Sequence, residues 1–212
     1  MLVIGLGRFG RALARTLLEL GHEVMGVDAG ADIVQAATRD LPHVVQVDAT
    51  DMDAMRELGA ADFETAVVAI GTDVEASVIA TYVLVDLKIP RIWAKAITSS
   101  HGKILERVGA HRVVFPERDM GVRVAHTLTG RTIDYLELDP HFALVETTVP
   151  KEVAGKTLKQ AEIRSRYGLT VVCIKQGNGP FTYTTPDTLL REGDVLVVAG
   201  APRKAEAFAS LE

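Results

Sequence analysis

Cysteine is nearly absent from this 212-residue chain: Cys173 stands alone, inside the apolar run 170–174. A single cysteine cannot build a disulfide framework, so a reducing compartment suits the chain. Its setting reads as that of a small buried core residue. An excess of positive charge is also missing. The chain has 23 Lys and Arg against 28 Asp and Glu, a formal net charge of −5, which excludes a general nucleic-acid footprint. No apolar stretch approaches the ~18 charge-free residues of a membrane span. Because the first motif opens at Val3, no secretory signal is expected. Tandem repeats and low-complexity segments are absent too.

Catalytic signatures are likewise missing. None of Tyr82, Tyr135, Tyr167 and Tyr183 is followed four residues later by lysine, as a short-chain dehydrogenase requires. The six histidines show no metal-ligand spacing. There is no Gly-x-Ser-x-Gly elbow and no Gly-Lys-Ser/Thr P-loop. The expectation is a protein that binds a ligand without transforming it.

What the chain does have is apolar residue, 48% of the total. That is enough for a sizeable core in one large or two small domains, with apolar surface to bury between subunits. It also has a glycine loop, Val3-Ile4-Gly5-Leu6-Gly7-Arg8-Phe9-Gly10. Gly5 permits the turn out of a strand, Gly7 lets backbone approach a pyrophosphate, and Gly10 lets the next helix pack close. N–H groups at the helix start then face phosphate, aided by the helix dipole. The loop alone is a weak signal. An apolar strand before it, an amphipathic helix after it and an acid at Asp28 make the context strong.

Short apolar runs predict strands over 2–5, 23–28, 44–47, 65–70, 91–95 and 112–115. Helical patterns fall between them, over 7–20, 33–41, 52–58, 75–87 and 100–108, with a further helix over 118–129 ending at Gly130. In the first helix Phe9, Leu13, Leu17 and Leu20 share a face, and Gly21 stops it. This alternation predicts an α/β fold, a Rossmann-like doubly wound parallel sheet. Composition then shifts to a small α+β domain. Residues 131–140 read as a connection, 143–149, 170–175 and 195–199 as strands, 158–166 and 202–211 as helices. Gln176-Gly177-Asn178-Gly179-Pro180 is a turn between two strand-like runs.

Candidate ligand residues cluster at the expected carboxyl ends of the parallel strands. Asp28, eighteen residues after Gly10, can accept from ribose hydroxyls and would repel a 2′-phosphate, so NADP is disfavoured. NAD, ATP, ADP and AMP all satisfy it equally. Asp48-Ala49-Thr50 can line the adenosine side, or Thr50 or Asp51 can simply cap the next helix. At Ile70-Gly71 the backbone can approach a ligand, while Asp73 suits a helix cap. Lys95 ends an apolar strand where it can neutralise phosphate, or else snorkel to the surface. Arg8 can grip a terminal phosphate, in its own subunit or across a dimer, and Arg11 is the weaker candidate. Glu117 can reach a divalent cation bound to phosphates, or serve with Asp119 as a first-turn acid.

Several separate motifs, in order, resemble one known family. They are the glycine loop, Gly21-His22-Glu23-Val24, Ala69-Ile70-Gly71, Ile92-Trp93-Ala94-Lys95-Ala96 and Pro116-Glu117-Arg118-Asp119-Met120-Gly121. Over essentially its whole length the chain is similar to the KtrA/TrkA-type RCK (KTN) regulatory subunits of Ktr/Trk potassium uptake systems. The resemblance implies an RCK N-terminal (TrkA-N) nucleotide-binding domain over 1–130 and an RCK C-terminal (TrkA-C) domain over 135–212. It implies a homo-octameric ring, a tetramer of dimers, docked on a membrane potassium-translocating partner of the KtrB/TrkH type. The chain itself would be cytoplasmic, at the inner face of the membrane, with no nucleic-acid partner. ATP and ADP would change ring shape and so gate ion flux.

On matched positions, the resemblance gives Gly5, Gly7 and Gly10 to the phosphates and Asp28 to the ribose; Phe9, inside the same loop, is a further candidate. It gives Asp48, Ala49 and Thr50 to the adenosine side and Arg8, from the neighbouring subunit, to the terminal phosphate, while Ile70, Gly71 and Lys95 stay candidates from their strand-end positions alone. Glu117 would help hold Mg or Ca beside ATP. In the second domain, residues 162–168 resemble a cleft for cyclic di-AMP, with Ile163, Ile174 and Pro186 as apolar contacts and Arg164 on phosphate. Family members usually carry several more residues before the first strand, so either a short strand suffices here or the native start lies upstream of Met1. Two other readings stay open: an RCK regulator sensing NAD or NADH, and a Rossmann dehydrogenase whose substrate pocket the sequence does not reveal.

Overall fold

A computed structural model describes residues 1–128 and 132–211. The chain divides into two compact units, Met1–Glu117 and Arg118–Glu212.

The first unit is a wholly parallel six-stranded sheet. Its strands are β1 (Leu2–Ile4), β2 (Met25–Asp28), β3 (Val44–Gln46), β4 (Thr65–Val68), β5 (Arg91–Lys95) and β6 (Arg112–Val114). The crossovers hold α1 (Arg8–Glu19), α2 (Ala31–Ala37), α3 (Met52–Glu57), α4 (Val74–Asp86) and α5 (Ser99–Val108). Spatial order is β3-β2-β1-β4-β5-β6, so the winding reverses between β1 and β4. Both strands are buried throughout, as central parallel strands covered on two faces must be. β1 needs only three residues because it is paired on both sides, Val3 lying opposite Gly26 and Val67.

Local chemistry sets the helix ends. Asp51, Asp73 and Thr98 cap α3, α4 and α5 by accepting backbone N–H bonds. Gly21, at φ +85°, ends the first helix: its N–H reaches the Leu18 carbonyl and that of His22 reaches Leu17. The buried stripe of α1 is Gly10 and Ala14, with Leu17 and Leu18 packed on the core. Leu20, expected on that stripe, is exposed. Leu20 is the C-cap residue, past the last helical position Glu19, so it does not continue the inner face.

The second unit holds the rest of α6 (Pro116–Leu128), then β7 (Thr132–Asp139), β8 (Phe142–Thr148), α7 (Leu158–Ala161) and α8 (Ile163–Tyr167). β9 (Thr170–Lys175), β10 (Phe181–Tyr183), β11 (Val195–Gly200) and α9 (Pro202–Ala209) complete it. Its sheet runs β10-β9-β11-β8-β7, antiparallel throughout, over a core that includes Tyr135, Val145, Leu196 and Phe208.

Four expectations change here. Residues expected as a connection form β7; Asp134, Glu137 and Asp139 interrupt its alternation in sequence, and its pairing with β8 shifts register twice. The single helix expected over 158–166 is two, broken at Glu162, which adopts φ +48°. Cys173 is half-buried, not a core residue. The division between units falls before the body of α6, because that helix is tied to β7: Arg123 pairs with Asp134 and the His126 ring stacks on Tyr135 at 3.8 Å. The expected helix end at Thr129 and Gly130 lies outside the described residues, as does Arg131.

Candidate functional site

Ligands of open parallel sheets bind beyond the carboxyl ends of the strands where the winding reverses. Here that point lies between the turn after β1 and the turn after β4. The Gly5 N–H donates to the Val27 carbonyl at 2.8 Å and the Ala69 N–H to the Ile4 carbonyl at 2.7 Å, which fixes the loop from both neighbouring strands. Gly5 has φ +89°, and a Cβ there would stand 3.0 Å from the Ile70 nitrogen. Gly7, the N-cap of α1, faces open space, with nothing within 4 Å of a Cβ built on it.

The charges around α1 run against its dipole. Its first turn contains no acid and its N-cap provides no side-chain acceptor. Arg8 and Arg11 stand there instead, next to the positive helix end, an arrangement that an anion would relieve. Arg11 is already engaged with Asp40, so the weaker phosphate candidate has a structural partner. Arg8 is exposed and makes no ion pair among the described residues.

Asp28 has a second task that its position in sequence does not announce. Its Oδ2 accepts the Leu6 N–H at 2.7 Å and its Oδ1 the Gly30 N–H at 2.9 Å. The carboxylate thus clamps the glycine loop to the entry of α2. Each oxygen retains acceptor capacity for a ribose hydroxyl. The Val47 N–H donates to the Asp28 carbonyl, which brings the 48–50 turn alongside. There Asp48 Oδ1 accepts from both the Thr50 hydroxyl and its N–H. The hydroxyl bond is the foremost cause holding the Asp48 carboxyl below the usual range, with the Thr50 N–H adding to it. Ala49 is buried in the core, so it can meet a ligand only through backbone.

Lys95, at the end of β5, is buried rather than snorkelling, at 8% exposure. Its Nζ lies 2.5 Å from Glu117 Oε1 and 5.6 Å from the centroid of the Phe9 ring. Glu117 is pulled below the normal carboxylate range chiefly by the Lys95 hydrogen bond, with Arg8 contributing at longer range. The structure therefore joins three positions that were separate candidates in sequence. The Phe9 contact with Lys95 had no signal in sequence. Among the described residues no three His, Cys, Asp or Glu side chains gather as a metal cage.

A concavity of about 500 Å³ beside the loop is lined by Leu6, Gly7, Arg8, Arg11, Asp32 and Ile33. A larger one, about 700 Å³, lies at the opposite ends of the strands, where Met25, Thr65 and Arg91 begin β2, β4 and β5. It is remote from the loop and is not the nucleotide edge. In the second unit, Ile163 and Ile174 are 3% and 1% exposed and belong to the core. They cannot offer the apolar surface expected of them; only Arg164 and Pro186 are exposed.

A doubly wound parallel sheet with a glycine loop and a strand-end acid at its reversal point is a Rossmann-type domain, here joined to a small α+β unit. Residues 1–116 match the TrkA-N domain model and residues 143–211 the TrkA-C domain model. The Ktr system potassium uptake protein A of Bacillus subtilis is 36% identical over 207 residues, covering 97% of this chain and 93% of that protein. The Ktr system potassium uptake protein C of the same organism is 38% identical over 200 residues, covering 94% and 90%. The chain belongs to the TrkA-N/TrkA-C family, among its Ktr potassium uptake proteins. The GsuK RCK domain shares the fold, with a TM-score of 0.69 at 22% identity, over 98% of this chain and 46% of that one.

Proposed function

We propose that this chain is the nucleotide-binding regulatory subunit of a potassium uptake system, reading ATP against ADP and passing the result to a membrane partner that carries the ion. The observation that carries this reading is the α1 terminus. Gly7 opens onto space, the first turn lacks an acid, and Arg8 stands beside it without an ion pair among the described residues. Asp28 adds acceptor capacity for a ribose. The family supplies the biological setting: the Ktr relatives are potassium uptake proteins, and we place this chain at the inner face of the membrane. Among the described residues no helix is long and apolar enough to cross a membrane.

A ligand shifts a two-state assembly only by binding one state better than the other. The γ-phosphate supplies that difference if Arg8 reaches it from a neighbouring subunit in a ring of dimers, an octamer in this reading. Met120, Val124 and Leu128, exposed at successive turns of α6, offer apolar surface for association. A divalent cation would find one protein carboxylate, Glu117, and would complete its shell with phosphate oxygens and water, as Mg²⁺ does beside nucleotides. We do not extend the reading to cyclic di-AMP, since two of its four residues are in the core.

Thermal-shift titration against ATP, ADP, AMP, NAD, NADH and cyclic di-AMP tests this. At a hundredfold excess over Kd, ATP or ADP should stabilise the chain by about 2.7 kcal/mol, a rise of roughly 5–10 °C for this size. A response to NADH and NAD alone moves the reading to redox sensing. Steady NADH turnover with a small substrate makes the chain a dehydrogenase.

A further inference from the structure

Lysine is seldom buried unless paired, and Lys95 sits in a socket built from four segments. Its own place is the end of β5. Glu117 comes from the start of α6, Phe9 from the first turn of α1, and Gly71 from the turn after β4. Gly71 fits tightly: a Cβ there would stand 2.8 Å from Nζ. Two of the four segments, the α1 turn and the turn after β4, also flank the reversal point where a phosphate would sit. A phosphate seated on α1 thus meets a buried cation that already has an anionic partner.

The two partners differ in freedom. The Lys95 side chain is 10% exposed and that of Glu117 is 65% exposed. Glu117 can turn into water and be solvated there, whereas Lys95 has no such exit. A buried ammonium left without an anion is costly, so whenever one anion leaves, another must be close at hand.

We propose that Lys95 exchanges anions: Glu117 holds it in the nucleotide-free chain, and the terminal phosphate of ADP or ATP takes it over, freeing the Glu117 carboxylate for solvent or, where one is present, for the divalent cation. This rests on the nucleotide reading above and adds a specificity element to it. Glu117 becomes a built-in competitor of polyphosphate. AMP, whose single phosphate stays on the glycine loop, leaves the pair intact. No covalent step is involved, only the transfer of one ammonium between two anions.

The test is isothermal titration of the full chain with ADP and AMP in EDTA, so that cation sharing by Glu117 plays no part, with circular dichroism to verify folding. Removing the competitor by Glu117→Gln should tighten ADP about 3- to 10-fold and leave AMP within about 2-fold, in keeping with the coupling expected of a close charge pair. Lys95→Met should weaken ADP at least ~10-fold while sparing AMP. In the Lys95→Met background, Glu117→Gln should then change nothing, since the cycle isolates the pair. If wild type binds ADP and Glu117→Gln binds it equally or more weakly, the exchange is wrong and the nucleotide site stands. Tightening that persists without Lys95 also overturns it, because it would then be general charge relief. Should Glu117→Gln not fold, Lys95→Met decides alone, and equal losses for ADP and AMP reject the proposal. A wild-type chain that binds no nucleotide removes both readings together.

Discussion

A Cβ on Gly10 would lie 1.8 Å from the carbonyl oxygen of Gly5. The obstacle is backbone, and it belongs to the turn that opens the loop, so no rotamer change relieves it. Gly10→Ala must push α1 away from β1. We expect a loss of about 3 kcal/mol or more, at the upper end of overpacking costs, read as a lower urea midpoint.

Gly7→Ala should behave in the opposite way. The added methyl meets nothing within 4 Å and φ is −65°, so stability should stay within about 1 kcal/mol of wild type. The methyl instead occupies the space where backbone would approach phosphate. ADP affinity should fall at least ~10-fold, or ~1.4 kcal/mol. The two substitutions separate folding from binding within one motif.

Asp28→Asn replaces two acceptor oxygens with one oxygen and one donor. Either the Leu6 or the Gly30 N–H must then lose its partner. We expect a cost of roughly 1–3 kcal/mol for the unpaired group, visible as a lower Tm without ligand. Nucleotide affinity should fall as well, because the carboxylate that clamps the glycine loop to the entry of α2 is lost.

Arg8→Ala should weaken ATP more than ADP, by roughly an additional tenfold if one charge-assisted contact to the γ-phosphate is lost. Calorimetric titration of both nucleotides reads this directly, and equal losses would remove Arg8 from the discrimination.

Acidification should destabilise the first unit through His101. This residue is 2% exposed; its Nδ1 accepts the Ile97 N–H and its Nε2 has no partner among the described residues. Burial lowers its pKa from 6.5, so the folded chain keeps it neutral while the unfolded chain takes up a proton. Stability from this source is complete above about pH 6.5 and declines as pH falls through the lower folded value. The urea midpoint should drop between about pH 7.5 and 5.5, and His101→Leu should flatten that slope even if it lowers stability at both ends.

Sequence pattern carried the first unit well because each of its signals is local. A glycine run, a capping Asp51 or Asp73, and short apolar strands such as 91–95 need no distant partner to be recognised. The second unit was less legible for physical reasons. β7 is an edge strand in which Glu137 shares the face of buried Tyr135 while Leu136 and Leu138 are exposed, so its alternation misleads, and only pairing with β8 makes it a strand. Glu162 bends the chain in a conformation that L-residues seldom adopt, and nothing in its side chain foretells that. At the site, sequence placed Asp28, Lys95 and Glu117 on the right edge but as independent residues. Their hydrogen bonds join positions 22 residues apart in both cases, Leu6 to Asp28 and Lys95 to Glu117, and only the folded sheet shows which of these reach one another.

The short central strand also governs the order of events when the chain folds. Leu2 pairs with Met25 on one side and with Ala66 on the other, so β1 is held only after the chain has looped back across more than sixty residues. Such distant closures are slow relative to local helix formation. The glycine loop hangs between those two pairings, through Gly5 to Val27 and Ile4 to Ala69. A nascent chain therefore acquires a competent phosphate cradle only once β4 has docked, and adenine-nucleotide binding during refolding should lag helix formation, reporting closure of the sheet.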